Sequence, residues 1–144
     1  MPAPASRSEA SRFTASSATG ARSAVGGVLV ALLADVAGVV VFAAIGRAGH
    51  DESGGLAALW ATAWPFLAGV GLGWLASRAW RSALAMMPTG IAVWLSSVVT
   101  GMLLRGSTGA GTAPSFIAVA TVVLALFLVG WRLLVAVRRR VLRP

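Results

Sequence analysis

The stretch VLVALLADVAGVVVFAAIG, residues 28–46, decides the fold, because it is long and apolar enough to cross a lipid bilayer as a helix. Three similar runs follow it, and we place the four spans at residues 24–46, 56–77, 83–104 and 113–137. No run alternates apolar and polar residues with the period of two that is typical of membrane strands. The sequence therefore predicts an all-α integral membrane protein, a four-helix bundle.

The composition agrees with this prediction. Of the 144 residues, 58% are hydrophobic and 11% are charged, whereas soluble domains carry about 25% charged residues. Residues 1–23 are rich in Ser and Ala and lack apolar periodicity, so we expect a disordered tail there, and a short basic tail at 138–144. A cleaved signal peptide is the alternative for the first run, but that run is too long and contains an acid.

The positions of the arginines predict the orientation. Nine lie in the N-terminal tail, the second connection and the C-terminal tail, against two in the other connections, Arg47 and Arg105. Arginine is enriched on the cytoplasmic side of membrane proteins. We therefore expect a multi-pass protein of the cell (inner) membrane, with both termini in the cytoplasm.

Several classes of function are excluded or disfavoured. The chain contains no cysteine, which excludes disulfides and thiolate metal sites. No hydrolase elbow, zinc motif or phosphate loop is present, so we predict a protein that is not an enzyme and holds neither cofactor nor metal. The arginines form no continuous basic face, which argues against nucleic acid. The expected partners are the lipid bilayer and either further copies of the chain or another membrane protein.

Asp35 is the strongest single signal, because a carboxylate at the centre of a membrane helix costs about 2.5–3.5 kcal/mol. It should face the bundle interior, either paired or protonated. The expected partners at its depth are the indole of Trp94, the hydroxyl of Ser97 and the indole of Trp64, while Arg132 is expected to extend to the membrane interface. Three roles remain open: a proton or cation site, a packing group that joins helices, and a partner for a cation from another subunit.

Helix packing should depend on small residues. Gly69 and Gly73 form a GxxxG pair in the second span, where Pro65 predicts a kink. The glycines predicted at helix contacts are Gly38, Gly69, Gly73, Gly90 and Gly101. Residues predicted to face inward share one stripe per span: Ala31, Asp35, Gly38 and Phe42 in the first, and Ala118, Thr121, Ala125 and Arg132 in the fourth.

A second candidate site lies in the loop GRAGHDE, residues 46–52. Arg47 and His50 should lie near Arg105, and together they could attract an anion at the outer mouth of the bundle. The alternative is a solvated loop in which Arg47, Asp51 and Glu52 neutralise one another.

Several motifs together resemble a known family. They are GR..H at 46–50 after the helix with the acid, TAWPF..G...GW at 62–74, P.G...W......GM..R at 88–105, and GWR at 130–132. This pattern is similar to the small four-span membrane proteins of domain-of-unknown-function family 3054, found mainly in actinobacteria and haloarchaea. The resemblance implies a four-span fold and little about function. Residues that coincide with the family pattern are Asp35, Arg47, His50, Trp64, Pro65, Phe66, Gly73, Trp74 and Arg105.

Two functions are compatible with these features. In the first, an oligomer transports a small solute or ion, with Asp35 as a carboxyl at the membrane midplane and the outer mouth recruiting the solute. In the second, the chain is a non-catalytic accessory or assembly subunit that docks onto a larger membrane complex through its glycine stripes and Asp35.

Overall fold

The computed structural model describes the backbone of residues 7–48 and 55–142, and within these ranges the side chains from Ala24 onward. Its long helices are α1 (Arg7–Ala48), α2 (Gly55–Ala76), α3 (Ile91–Ser107), α4 (Pro114–Leu128) and α5 (Gly130–Val141). Val129, between α4 and α5, keeps a helical backbone with φ −97° and ψ −39°. The last two helices therefore form one continuous span.

Four segments are long and apolar enough to cross a membrane: Ala24–Ala48, Gly55–Ala76, Met86–Ser107 and Pro114–Val141. Their ends lie within four residues of the predicted spans. The all-α fold of a four-span membrane protein is thus confirmed. α2 continues without interruption through Pro65, and the kink at this residue stays a prediction.

Helix α1 begins earlier than the sequence suggests. Its backbone is helical from Arg7, whereas we expected a disordered tail up to residue 23. Between residues 7 and 19 the chain contains neither Pro nor Gly. A helix that continues from an existing span also avoids the unfavourable nucleation step, so a segment with no apolar face of its own can extend it.

The two ends of the bundle differ in their connections. We call the end that carries the α2–α3 connection and the end of α5 the terminal end. The other end, where α1 and α3 finish and α2 and α4 begin, is the loop end. Since the number of spans is even, the first span begins and the last span ends on the same side.

The predicted glycines lie against other parts of the same chain. A Cβ atom on Gly69 would lie 2.6 Å from the Ser97 Cα, and one on Gly73 would lie 2.7 Å from the Val93 Cα. Gly101 faces the ring of Phe66. The absence of side chains at these positions lets α2 and α3 pack with their backbones in close approach.

The inner face of α1 agrees with the predicted stripe, and the inner face of α4 does not. Ala31, Asp35 and Phe42 are buried on α1. On α4 the buried residues are Ala120, Leu124 and Leu128, and the predicted Ala118, Thr121 and Ala125 are more exposed. The expectation of small residues on the inner face of α4 is wrong because the small residue at this contact is on α1. A Cβ on Gly38 would lie 3.0 Å from the Phe127 Cβ, so Gly38 makes room for the larger side chain of α4.

Three phenylalanines form the core near the loop end. The rings of Phe42 and Phe66 meet edge to face with centroids 5.1 Å apart, and Phe116 lies 6.3 Å from each. This cluster joins α1, α2 and α4 through aromatic contacts.

The α2–α3 connection, residues 77–90, packs against the terminal end of the bundle. It contains a short turn, Ala79–Arg81, and a wider turn, Met86–Gly90. Ala79, Ala83 and Thr89 are buried, and the hydroxyls of Ser82 and Thr89 lie 3.0 Å apart. The connection therefore contributes buried residues to the packed interior, while Trp80 and Met87 remain exposed.

Candidate functional site

The centre of the molecule is an ion pair between α1 and α5. Arg132 donates from Nη1 to Asp35 Oδ1 at 2.6 Å and from Nη2 to Asp35 Oδ2 at 2.7 Å. Both side chains have no exposed surface. This bidentate arrangement is the strongest hydrogen-bonding geometry that an arginine and a carboxylate can form.

Two tryptophans complete the environment of the carboxylate. Trp74 Nε1 on α2 donates to Asp35 Oδ2 at 2.9 Å, and Trp131 Nε1 on α5 donates to Oδ1 at 3.0 Å. Each oxygen thus accepts two N–H groups, which uses the four acceptor positions of the carboxylate. A protonated carboxyl would have to direct its own hydrogen at one of these donors. The geometry therefore fits the ionised acid and does not fit the neutral one.

Arg132 is held from several directions. Its Nε donates to the Ala83 carbonyl at 3.1 Å, and its Nη1 also donates to the Leu128 carbonyl at 2.6 Å. The guanidinium lies 4.5 Å from the ring centroid of Trp131. A Cβ on Gly90 would lie 2.9 Å from the Arg132 Cδ, so the start of α3 leaves just enough space for this side chain.

The expected position of Arg132 at the membrane interface was wrong. Nine residues separate it from the end of α5 at Val141, or about 13 Å at ~1.5 Å per residue. Arg138, where the basic tail begins, is six residues or about 9 Å along the helix from Arg132, whereas the Asp35 carboxylate lies 2.6 Å from its Nη1. The charge therefore turns inward, where it neutralises Asp35.

The expected partners of Asp35 were also wrong. Trp94 donates to the Thr121 carbonyl at 3.0 Å, and Ser97 donates to the Phe66 carbonyl at 3.0 Å. These two residues join α3 to its neighbours instead of contacting the acid. Trp64 lies ten residues before Trp74 on α2, about 15 Å nearer the loop end.

The cluster ties distant parts of the chain together. Asp35 comes from α1, Trp74 from α2, Trp131 and Arg132 from α5, and the Ala83 carbonyl from the α2–α3 connection. No buried side-chain N or O atom within the described ranges lacks a hydrogen-bond partner. Such a fully paired group stabilises one relative arrangement of helices, and breaking it leaves a buried charge without compensation.

A cleft of about 420 Å³ lies at the loop end between α1 and α4. Arg47 and Arg105 both line it, together with the hydroxyl residues Thr62 and Ser115 and the ring of Phe116. The structure thus brings together two of the three residues predicted for the outer mouth. His50, with its neighbours Asp51 and Glu52, lies outside the described residues.

Arg105 is positioned by the loop that follows it. Its Nη2 donates to the Ala110 carbonyl at 2.9 Å and its Nε to the Gly111 carbonyl at 3.3 Å. The guanidinium lies 4.3 Å from the centroid of Phe116. These contacts fix the position of the Arg105 side chain at the cleft.

Sequence reasoning missed the two indole donors and the Ala83 carbonyl. One signal was available: within the predicted spans, Asp35 and Arg132 are the two charged residues farthest from any helix end. Opposite charges buried in a membrane protein tend to pair. The identity of the tryptophans depends on helix rotation, which hydropathy does not report.

Comparison with known families agrees with this architecture. Residues 32–135 match the model described as "Protein of unknown function (DUF3054)", and the match includes both members of the ion pair. No curated protein and no solved structure matches the chain. Because the matched segment covers more than half of the chain, the protein belongs to the DUF3054 family.

Proposed function

We propose that this DUF3054 protein binds a small organic anion in the cleft at the loop end, as the recognition step of transport across the membrane. The observation that carries the proposal is the pair of arginines, Arg47 and Arg105, on one cleft of about 420 Å³. A site with two guanidinium groups favours carboxylates and other anions. The volume is that of a small-molecule pocket.

The rest of the lining supports a solute with an apolar part. Phe42, Phe116 and Val119 contribute apolar surface, and the hydroxyl of Ser115 can donate a hydrogen bond, while that of Thr62 already donates to the Ala58 carbonyl. The charged groups would then hold the acidic end of the solute, and the aromatic rings would pack against its hydrocarbon part. An inorganic anion would leave this apolar surface unused.

The geometry does not support Asp35 as the coupling carboxyl of such a transporter. Its two oxygens already accept four hydrogen bonds within the chain. Releasing it for a proton or cation would break the contacts of three helices at once. We therefore assign Asp35 and Arg132 a structural role beneath the binding cleft.

We also propose which side of the membrane the cleft faces and that transport requires more than one copy of the chain. The arginine distribution supports an inner-membrane protein with the loop end outside, so that the cleft meets solutes before they cross. Four spans rarely enclose a pathway, and transport would require at least a second copy of the chain. The accessory-subunit hypothesis has less support, since the glycines expected to dock onto a partner pack inside this chain.

The proposal is tested with benzoate as the probe and the neutral benzamide as its isostere. Thermal stabilisation of the purified full chain in detergent should show binding of benzoate and little binding of benzamide. Arg47→Gln should weaken benzoate binding about tenfold, because a charge-assisted hydrogen bond contributes about 1.5–3 kcal/mol. Arg78→Gln, which removes the same charge at the terminal end from a residue that lines neither cleft, is the matched control.

If benzoate binds, its uptake is then measured with the protein reconstituted in proteoliposomes. Uptake of labelled benzoate that saturates, and that Arg47→Gln reduces, supports transport. Equal stabilisation by benzoate and benzamide, or equal effects of the two arginine variants, would overturn the anion site. Binding without flux would leave a binding protein and reject the transport step.

A further inference from the structure

We propose that a second cleft, at the terminal end, binds the phosphate group of an anionic phospholipid through Arg81 and Arg139. This cleft has a volume of about 420 Å³ and lies between the start of the first span, the α2–α3 connection and α5. It lies at the opposite end of the bundle from the anion cleft and shares no lining residue with it.

The lining suits a phosphate ester. Arg81 comes from the α2–α3 connection and Arg139 from α5, so two guanidinium groups from different elements line one cleft, with Ser82 beside them. Guanidinium groups bind phosphate oxygens bidentately, and a serine hydroxyl can donate a further hydrogen bond. The N-terminal wall includes Gly27, where even a Cβ would meet no atom within 4 Å, so the cleft remains open on that side.

The charge at this end supports an anionic ligand. Five arginines lie there among the residues whose side chains the structure describes: Arg78, Arg81, Arg138, Arg139 and Arg140. The sequence contains four acidic residues. Asp35 is paired with Arg132, Asp51 and Glu52 come between α1 and α2 in the sequence, and Glu9 lies fifteen residues before the first span, about 22 Å along the helix. The terminal end therefore carries a large positive charge in the region where headgroups lie.

The surface beside the cleft suits acyl chains. Val25, next to the lining residue Ala24 on α1, is an exposed apolar residue, and Val28 and Leu84 add apolar lining. Trp80, which lines the cleft, is half exposed, and tryptophan at such a position is typical of the membrane interface. A ligand with a phosphate and hydrocarbon chains satisfies both surfaces, and basic pockets between membrane helices bind acidic lipid headgroups in this way.

A neighbouring cleft of about 190 Å³ extends the same site. Arg139 and Leu84 line both clefts, and Arg140 and Val135 line the second. Arg139 and Leu84 are thus shared by the two clefts. A lipid headgroup bound at Arg81 and Arg139 would reach the neighbouring cleft without leaving the surface of α5.

Native mass spectrometry of the full chain in detergent tests the proposal. Phosphatidylglycerol and phosphatidylcholine are titrated separately, and bound lipid is counted. We expect phosphatidylglycerol to bind at least tenfold more tightly. The double variant Arg81→Gln/Arg139→Gln should lose about tenfold or more of this affinity, since each basic residue near an acidic headgroup contributes measurably to binding.

The control removes the same number of charges from the same end. Arg78→Gln/Arg138→Gln leaves both lining arginines in place and should change the affinity by about threefold at most. Arg81→Lys/Arg139→Lys keeps the charges and should retain most of the affinity, which keeps the test decisive if the Gln variant unfolds. Equal losses in the two Gln variants would overturn the cleft and leave only diffuse electrostatic attraction.

A second experiment uses a soluble phosphate ester, glycerol phosphate, as the probe. Glycerol phosphate shares the headgroup chemistry and lacks acyl chains, so at millimolar concentration it should displace little phosphatidylglycerol. If glycerol phosphate binds as tightly as the lipid, the lipid assignment is overturned in favour of a soluble phosphate ester. Because the benzoate assay reports on the loop end, failure of either site leaves the result for the other unchanged.

Discussion

Asp35 and Arg132 lie 97 residues apart in the chain and are joined by two hydrogen bonds, of 2.6 and 2.7 Å, with no exposed surface on either side chain. The first and last spans therefore meet through a charged contact that is fully buried within the chain. This contact organises the molecule, because α2 and the α2–α3 connection also reach it through Trp74 and the Ala83 carbonyl.

The ion pair predicts strong coupling between its two members. Asp35→Asn and Arg132→Gln should each lower the free energy of unfolding by about 3–5 kcal/mol, since each leaves a buried partner uncompensated. The double variant should lose less than the sum of the two, because it leaves no unpaired charge. A double-mutant cycle by reversible unfolding in mixed micelles measures this coupling, and additive losses would contradict it.

The indole donors can be tested separately from the charges. Trp74→Phe and Trp131→Phe keep an aromatic ring and remove one N–H from the carboxylate, so each should cost about 1–3 kcal/mol. Trp60 is 63% exposed, and Trp60→Phe should change the stability by about 0.5 kcal/mol at most. Unfolding midpoints of the three variants check this ordering.

Gly90 leaves space for the side chain of Arg132. In Gly90→Ala the new Cβ would lie 2.9 Å from the Arg132 Cδ, and Arg132 cannot shift without losing hydrogen bonds. We expect a destabilisation of about 1–3 kcal/mol. Gly130→Ala is the control: its Cβ meets nothing within 4 Å, and alanine in a helix should stabilise by up to about 1 kcal/mol. Similar unfolding curves for both variants would reject this role of Gly90.

Gly69 and Gly71 form a matched pair on one helix. Gly69→Ala places a Cβ 2.6 Å from the Ser97 backbone, whereas Gly71→Ala meets nothing within 4 Å. We expect the first variant to unfold at lower temperature and the second to match or exceed the wild type. The oligomeric state, measured by native mass spectrometry, should stay unchanged in both. If Gly69→Ala changed the oligomeric state without lowering the stability, Gly69 would instead contact a partner chain.

The orientation of the termini can be measured directly, because the chain contains no cysteine. Two single-cysteine variants each place one thiol on a different side of the membrane. Ser107→Cys lies at the loop end, and Leu142→Cys lies at the terminal end. A membrane-impermeant maleimide added to intact spheroplasts should label the first and spare the second. Labelling in the reverse pattern would place the termini outside.

The fold was largely predictable from the sequence, and the site was predictable only in part. Four apolar runs are enough to define the spans, because a membrane accepts few other structures. Hydropathy does not report how deep each helix lies or how it is rotated, and those two quantities decide whether Arg132 extends to the interface or meets Asp35. The same limitation explains the wrong inner face of α4 and the missed indoles of Trp74 and Trp131.

The separation of Asp35 and Arg132 along the chain also determines an order of events during synthesis. The first span enters the membrane with its acid unpaired, and its counter-ion is translated 97 residues later, in the last span. Until then nothing within the chain neutralises the carboxylate with a full charge. A nascent or truncated chain that ends before Arg132 therefore contains a first helix whose acid lacks this partner, and arrival of the last helix is the step that completes the charged contact.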